Sequence, residues 1–276
     1  MLRVAHMLAA SVAAPAPPPS SVTLAASING GVLPGGVSQP AYNTWAYTFT
    51  APALPAGYVA GRRQFFVMTG TRDSNGAVRN NRDTDTLVQL NLVNSANSIN
   101  TTLARTAMTV EVDGHSDFNS AVIGHIPADA VGSTTITVTR SYSAAGGSDF
   151  MGVIVIDGVA TINSGVVSSN NSQTSASSVS VNTGAAGTAG TAQLRLVVGA
   201  SSNSSLANPI YNKNASEPTY TTLGQGENGT SERFGMFFNF NASGGAITQA
   251  INGSVSTSSA SSNGLGHAAA LINLSG

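Results

Sequence analysis

From Tyr42 onward, apolar and polar residues alternate with a period of two, the spacing of a strand with one buried face. Trp45, Tyr47 and Phe49 alternate with Ala46 and Thr48, and Val88, Leu90 and Leu92 alternate with Gln89 and Asn91. The pattern returns as Ile136 and Val138 in TTITVTR, Leu194, Leu196 and Val198 in AQLRLVV, and Phe234, Met236, Phe238 and Phe240 in RFGMFFNF. Two runs are apolar throughout instead: RQFFVM at 63–68 and MGVIVIDGV at 151–159. Strands of that kind belong in the middle of a structure, covered on both faces. No stretch of similar length carries a helical stripe.

Turn signals punctuate the strands: Ser74-Asn75-Gly76, Asp113-Gly114, Gly146-Gly147, Asp157-Gly158 and Asn228-Gly229. Their recurrence predicts about ten short strands. The expected fold is all-β, an antiparallel two-sheet β-sandwich of jelly-roll-like type over residues 40–276. Trp45, Phe65, Val67, Leu90, Val138, Ile154, Leu196 and Phe238 are expected to share a single core between the sheets. Residues 162–191 are low in complexity, but Val166, Val167, Val179 and Val181 point to an edge strand with long loops rather than a linker.

Residues 1–39 read differently. Arg3, a mild apolar stretch from Met7 to Ala14 and Ala-Pro repeats share the outline of a secretory leader. Pro15, Pro17, Pro18 and Pro19 impose polyproline geometry and forbid a helix. The segment is therefore expected to be an extended arm. Its apolar residues Leu2, Val4, Met7, Leu8, Val22, Leu24 and Leu33 are too sparse for a separate core and are the expected partner-binding set.

Composition narrows the function classes. Of 276 residues, 41% are hydrophobic and 8% charged, and 11 basic against 12 acidic residues leave a formal charge of -1. Such neutrality removes the diffuse attraction to phosphate, so no nucleic-acid or membrane partner is expected. No stretch approaches the roughly 20 apolar residues of a spanning helix. Without cysteine there is neither a disulfide framework nor a thiolate nucleophile. Lys213 is the single lysine. The arginine bias reads as coding background.

Candidate chemistry centres on Glu111-Val112-Asp113, where residues two apart on a strand point the same way and could act as paired carboxylates. The segment resembles the Glu-x-Asp-x-x-Glu signature of laminarinase-like β-sandwich hydrolases, with Glu111 at the nucleophile position. Asp117 replaces the displaced third acid, and one Trp leaves few aromatic platforms. The expectation is therefore a strand end running into an Asp-Gly turn, with no catalytic residue and no enzyme activity. Asp73, Asp83 and Asp85 offer hard oxygens of the kind Ca²⁺ prefers. Arg62, Arg63, Arg72, Arg79 and Arg82 flank them, so mutual ion pairing is expected and no metal. His6, His115, His125 and His267 lack metal-ligand spacing, and no cofactor-binding motif occurs.

The block TTITVTRSYSAAGGSDFMGVIVIDGV, Thr134 to Val159, is followed by SASSVSVNTG, AQLRLVVGAS and GHAAALINLSG. Together these resemble jelly-roll proteins of tailed bacteriophages and related gene transfer agents. The resemblance implies a virion protein on the outer surface of the particle, a capsid cement or decoration protein docked on the major capsid protein or another virion subunit. It would be homo-oligomeric or lattice-bound and would stabilise the head. A fibre or spike domain, or a lectin-like adhesion module with a glycan partner, is the alternative; a β-sandwich glycoside hydrolase stands further off.

Overall fold

A computed structural model describes residues 21–33, 37–39, 42–72, 87–115, 119–140, 149–163, 167–170, 177–184, 188, 191–202, 207–227, 232–242, 249–259 and 265–276. The first part of the chain forms β1 (Thr23–Leu33), β2 (Val37–Gln39), β3 (Tyr42–Ala51), β4 (Gln64–Arg72), β5 (Leu87–Asn94), β6 (Ile99–Ala104), β7 (Glu111–His115), β8 (Asn119–Pro127), β9 (Gly132–Arg140) and β10 (Asp149–Asp157). The second forms β11 (Thr161–Asn163), β12 (Val167–Asn170), β13 (Ser178–Asn182), β14 (Ala192–Ser202), β15 (Ile210–Asn212), β16 (Thr221–Glu227), β17 (Glu232–Asn241), β18 (Asn252–Ser256) and β19 (Leu265–Ser275). All pairings are antiparallel. The chain is an all-β antiparallel sandwich, and the only helical pieces among the described residues are two short 3-10 turns.

Where two sheets were expected, four stack in layers. The first outer sheet runs β2-β3-β9-β5-β6, and the first inner sheet β1-β10-β4-β8-β7. The second inner sheet runs β11-β19-β14-β17-β16, with β12 also on β19, and the second outer sheet β13-β18-β15. Trp45, Leu90, Ile136, Phe65 and Val153 fill the space between the first two layers. Phe66, Ile123, Ile154, Leu196, Met236 and Ala270 fill the space between the inner sheets. Val181, Val197, Phe237, Val255 and Leu271 fill the last.

The two halves follow one plan. With β2 and β6 set aside and β11 and β12 taken as one interrupted edge strand, each half has eight strands. Each inner sheet then has the order first, eighth, third, sixth, fifth, and each outer sheet the order second, seventh, fourth. β6 flanks the fourth strand of the first half, β5. The fourth strand of the second half, β15, pairs on its other side with β18 and has no such flank among the described residues.

The structure corrects several expectations. The eight residues assigned to one core divide: Trp45, Phe65, Val67, Leu90 and Val138 lie in the first core, and Ile154, Leu196 and Phe238 in the next. The cause is the two-faced inner sheets, which need a layer on each side. Strands number nineteen among the described residues, because many are short edge pieces. In β5 a bulge between Leu87 and Gln89 turns Leu87 rather than Val88 into the core. The boundary drawn at residue 39 does not hold for 23–33, which form β1 on β10.

Asp113-Gly114 is not a turn but the interior of β7, where Gly114 pairs with Ala121. The glycine serves a close approach of layers: a Cβ there would lie 1.7 Å from the His267 carbonyl oxygen on β19. Asp157-Gly158 does end a strand, with Gly158 at φ +81° and a Cβ position 2.4 Å from the Ser21 carbonyl. Gly114→Ala should therefore force the inner sheets apart and cost about 2–3 kcal/mol of stability, read as a lowered urea midpoint. An unchanged midpoint would mean that the two backbones do not meet there.

Candidate functional site

β7 brings Glu111 and Asp113 to one side of the inner sheet, as their spacing predicted. Arg105, in the short turn before it, clamps both: Nη2 lies 3.0 Å from Glu111 Oε1 and Nη1 2.9 Å from Asp113 Oδ2. The Asp113 side chain is 4% exposed and that of Glu111 19%. Burial, then the adjacent Glu111 carboxyl, push Asp113 up from 3.8 to about 7, against the opposing pull of Arg140 and Arg105. Asp113 thus takes up its proton at a higher pH than an exposed aspartate does.

Of the expected partner-binding residues, Leu2, Val4, Met7 and Leu8 lie outside the described residues. Val22 and Leu33 are each 5% exposed and packed into this chain's own cores at the two ends of β1. Of the three described members of the set, Leu24 is the exposed one, at 37%. Asp73, Asp83, Asp85, Arg79 and Arg82 also lie outside the described residues. Arg63 pairs elsewhere than expected: it is fully buried and forks onto Asp157 at 2.6 and 2.8 Å. Its remaining donors reach the Pro52, Ala130 and Ala53 carbonyls.

His6 lies outside the described residues, and His125 and His267 are buried. His125 Nδ1 accepts the Val110 N–H at 3.1 Å. The His267 ring nitrogens have no hydrogen-bond partner among the described residues, and burial holds the ring neutral, its pKa lowered to about 4. Among the described residues no group of three His, Cys, Asp or Glu side chains converges as a metal site.

A second polar centre escaped the sequence reading. Glu217, in the loop 213–220 between β15 and β16, is 4% exposed. Its Oε1 accepts the Tyr211 hydroxyl at 2.9 Å and the Asn214 and Asn252 N–H groups at 3.1 and 3.0 Å; its Oε2 accepts the Tyr220 hydroxyl at 2.9 Å. Lys213 Nζ donates to the Glu217 carbonyl at 2.9 Å. Burial foremost, with the Glu217 charge adding to it, raises both tyrosines far above their ordinary range, so they remain donors. Their rings meet edge to face at 4.8 Å, and Phe237 lies 6.4 Å from Tyr211. Tyr211, Lys213, Tyr220 and Phe237, with Thr219, Thr222, Gln225 and the half-exposed Ile210, line a cleft of about 380 Å³. The signal was present in YNKNASEPTY, which holds the single lysine and two of six tyrosines in a chain poor in aromatics.

Comparison with protein-family models finds no match to this chain, and comparison with curated proteins finds none either.

The carboxyl pair makes stability depend on pH with a definite sign. Asp113 binds its proton more tightly folded than unfolded, so its contribution is present below the unfolded pKa and is lost as pH rises toward about 7. The slope is at most about 1.4 kcal/mol per pH unit. His267 acts in the opposite sense at acid pH but is common to both proteins in a comparison with Asp113→Asn. The melting temperature of Asp113→Asn relative to the unaltered chain should therefore climb as pH is raised through this window; a constant difference would deny the raised Asp113 pKa.

Proposed function

We propose that this chain is a structural protein of a virion, a cement or decoration protein on the outer surface of a tailed-phage-type head. The observation that carries the reading is the doubled strand plan. In each half the inner order first-eighth-third-sixth faces an outer second-seventh-fourth, an order close to that of a jelly roll, an architecture that recurs in viral capsid proteins, with the fifth strand on the inner sheet beside the sixth. The segments on which the resemblance rests fall on β9 and β10 of the first half and on β13, β14 and β19 of the second.

Physical features support the same role. Four layers joined through three cores make a body with little independent motion between sheets, suited to bracing a lattice. A nearly neutral chain can dock by apolar contact, at about 25 cal/mol per Å² buried, without charge complementarity. Docking is assigned to Leu24 and to the segment before Val22, which bears Leu2, Val4, Met7 and Leu8. β1 itself belongs to the body.

Two measurements test this. Mass spectrometry of density-purified particles from a producing culture should find the chain in many copies, and particles free of it would overturn the proposal. Deleting residues 1–20 should abolish recovery with particles while leaving the melting temperature nearly unchanged. Deleting residues 1–35 should lower the melting temperature sharply, since it strips β1 from β10 and opens two cores.

A further inference from the structure

The first half closes the free flank of its fourth strand with β6, whereas the second half places the loop 213–220 and an open cleft beside the corresponding strand β15. We propose that this cleft binds a neutral saccharide, a mono- or disaccharide portion of a glycan. The inference is independent of whether the chain sits on a particle.

A sugar ring presents an apolar C–H face and a rim of hydroxyls, and the cleft offers a counterpart to each. Tyr211, Tyr220 and Phe237 supply aromatic surface. The two tyrosine rings are fixed in advance, because Glu217 accepts both hydroxyls and is itself held by the Asn214 and Asn252 N–H groups. Side chains already immobilised lose little entropy on binding. Thr219 and Thr222 bring hydroxyls to the same cleft. Gln225 Nε2 is committed to the Pro209 carbonyl at 2.9 Å, which orients the amide and leaves its oxygen as an acceptor for a ligand hydroxyl.

Charge argues for a neutral ligand. Lys213 is the one cation among the described residues that line the cleft, and its ammonium already donates to the backbone carbonyl of Glu217 at 2.9 Å. Arg195 is fully buried, donates to the Gln249 carbonyl at 2.6 Å and is hydrogen-bonded to the Tyr220 side chain. Among the described residues that line the cleft, no fork of paired donors is presented to a phosphate or carboxylate. The volume of about 380 Å³ lies at the small end of ligand sites, which suits one or two sugar rings.

The test uses the full chain. An array of immobilised neutral oligosaccharides of gluco, galacto and manno configuration, with sialylated and phosphorylated members alongside, is screened, and the best neutral binder is titrated by calorimetry. Binding of a neutral member is expected. Thr222→Trp, on an exposed position of β16, should weaken it about tenfold or more without changing the melting temperature. Ala56→Trp, in the separate small cleft beside Tyr58, should leave it intact. No neutral binding at millimolar ligand, binding of acidic members only, or binding that survives Thr222→Trp would overturn the proposal.

Discussion

A strand that is apolar on both faces cannot end a structure. β4 and β10 are such strands: Phe65, Val67, Val153 and Val155 look one way and Phe66, Met68, Ile154 and Ile156 the other, and all are fully buried. Each large side chain left in water would forfeit about 1.5–3 kcal/mol, so a layer is required on either side. The sheet that covers the second face contains β14 and β19, which are themselves buried on both faces and need a further cover. Stacking stops only where the strands become one-faced, as in β6 and in β13 with its alternation of exposed and buried residues.

Layers of this kind meet through apolar contact, which is not directional, so fixed polar contacts are needed to set their registry. Three fully buried arginines serve there. Arg63 draws the β3–β4 and β8–β9 loops onto the end of β10 through carbonyls and Asp157. Arg140, on the first outer sheet, reaches Ser120 on the first inner sheet. Arg195, on the second inner sheet, reaches the Gln249 carbonyl in the segment that leads into β18. At Arg63 the planar guanidinium matches several acceptors at once, a fork geometry that a lysine's point charge lacks. The arginine at position 63 is thus structural and not only a matter of coding.

What could be read from the sequence was local. Alternation located β3, β5, β9, β14 and β17, and the two unbroken apolar runs were identified as central strands. Layer number was not legible, because it depends on which buried face meets which. The Asp113-Gly114 pair misled for a related reason: its glycine answers to a backbone more than a hundred residues away, at His267. Glu111 and Asp113 were recognised as neighbours, but Arg105 between them was not, since a turn sets its position. The Glu217 centre draws on β15, a loop and the start of β18, and no single periodic segment contains it.

The link between the halves has a consequence for how the molecule holds together. Only Gly158, Val159 and Ala160 separate β10 from β11, and they are pinned to both sides: the Val159 N–H donates to the Arg62 carbonyl and the Ala160 N–H to the Ser275 carbonyl. The two inner sheets therefore meet as two subunits of a dimer would, but within one covalent chain. Their encounter is set by the effective concentration that a three-residue tether creates rather than by protein concentration. Association that would weaken on dilution between separate chains becomes independent of dilution, and a body present at a few copies stays as complete as one present at many.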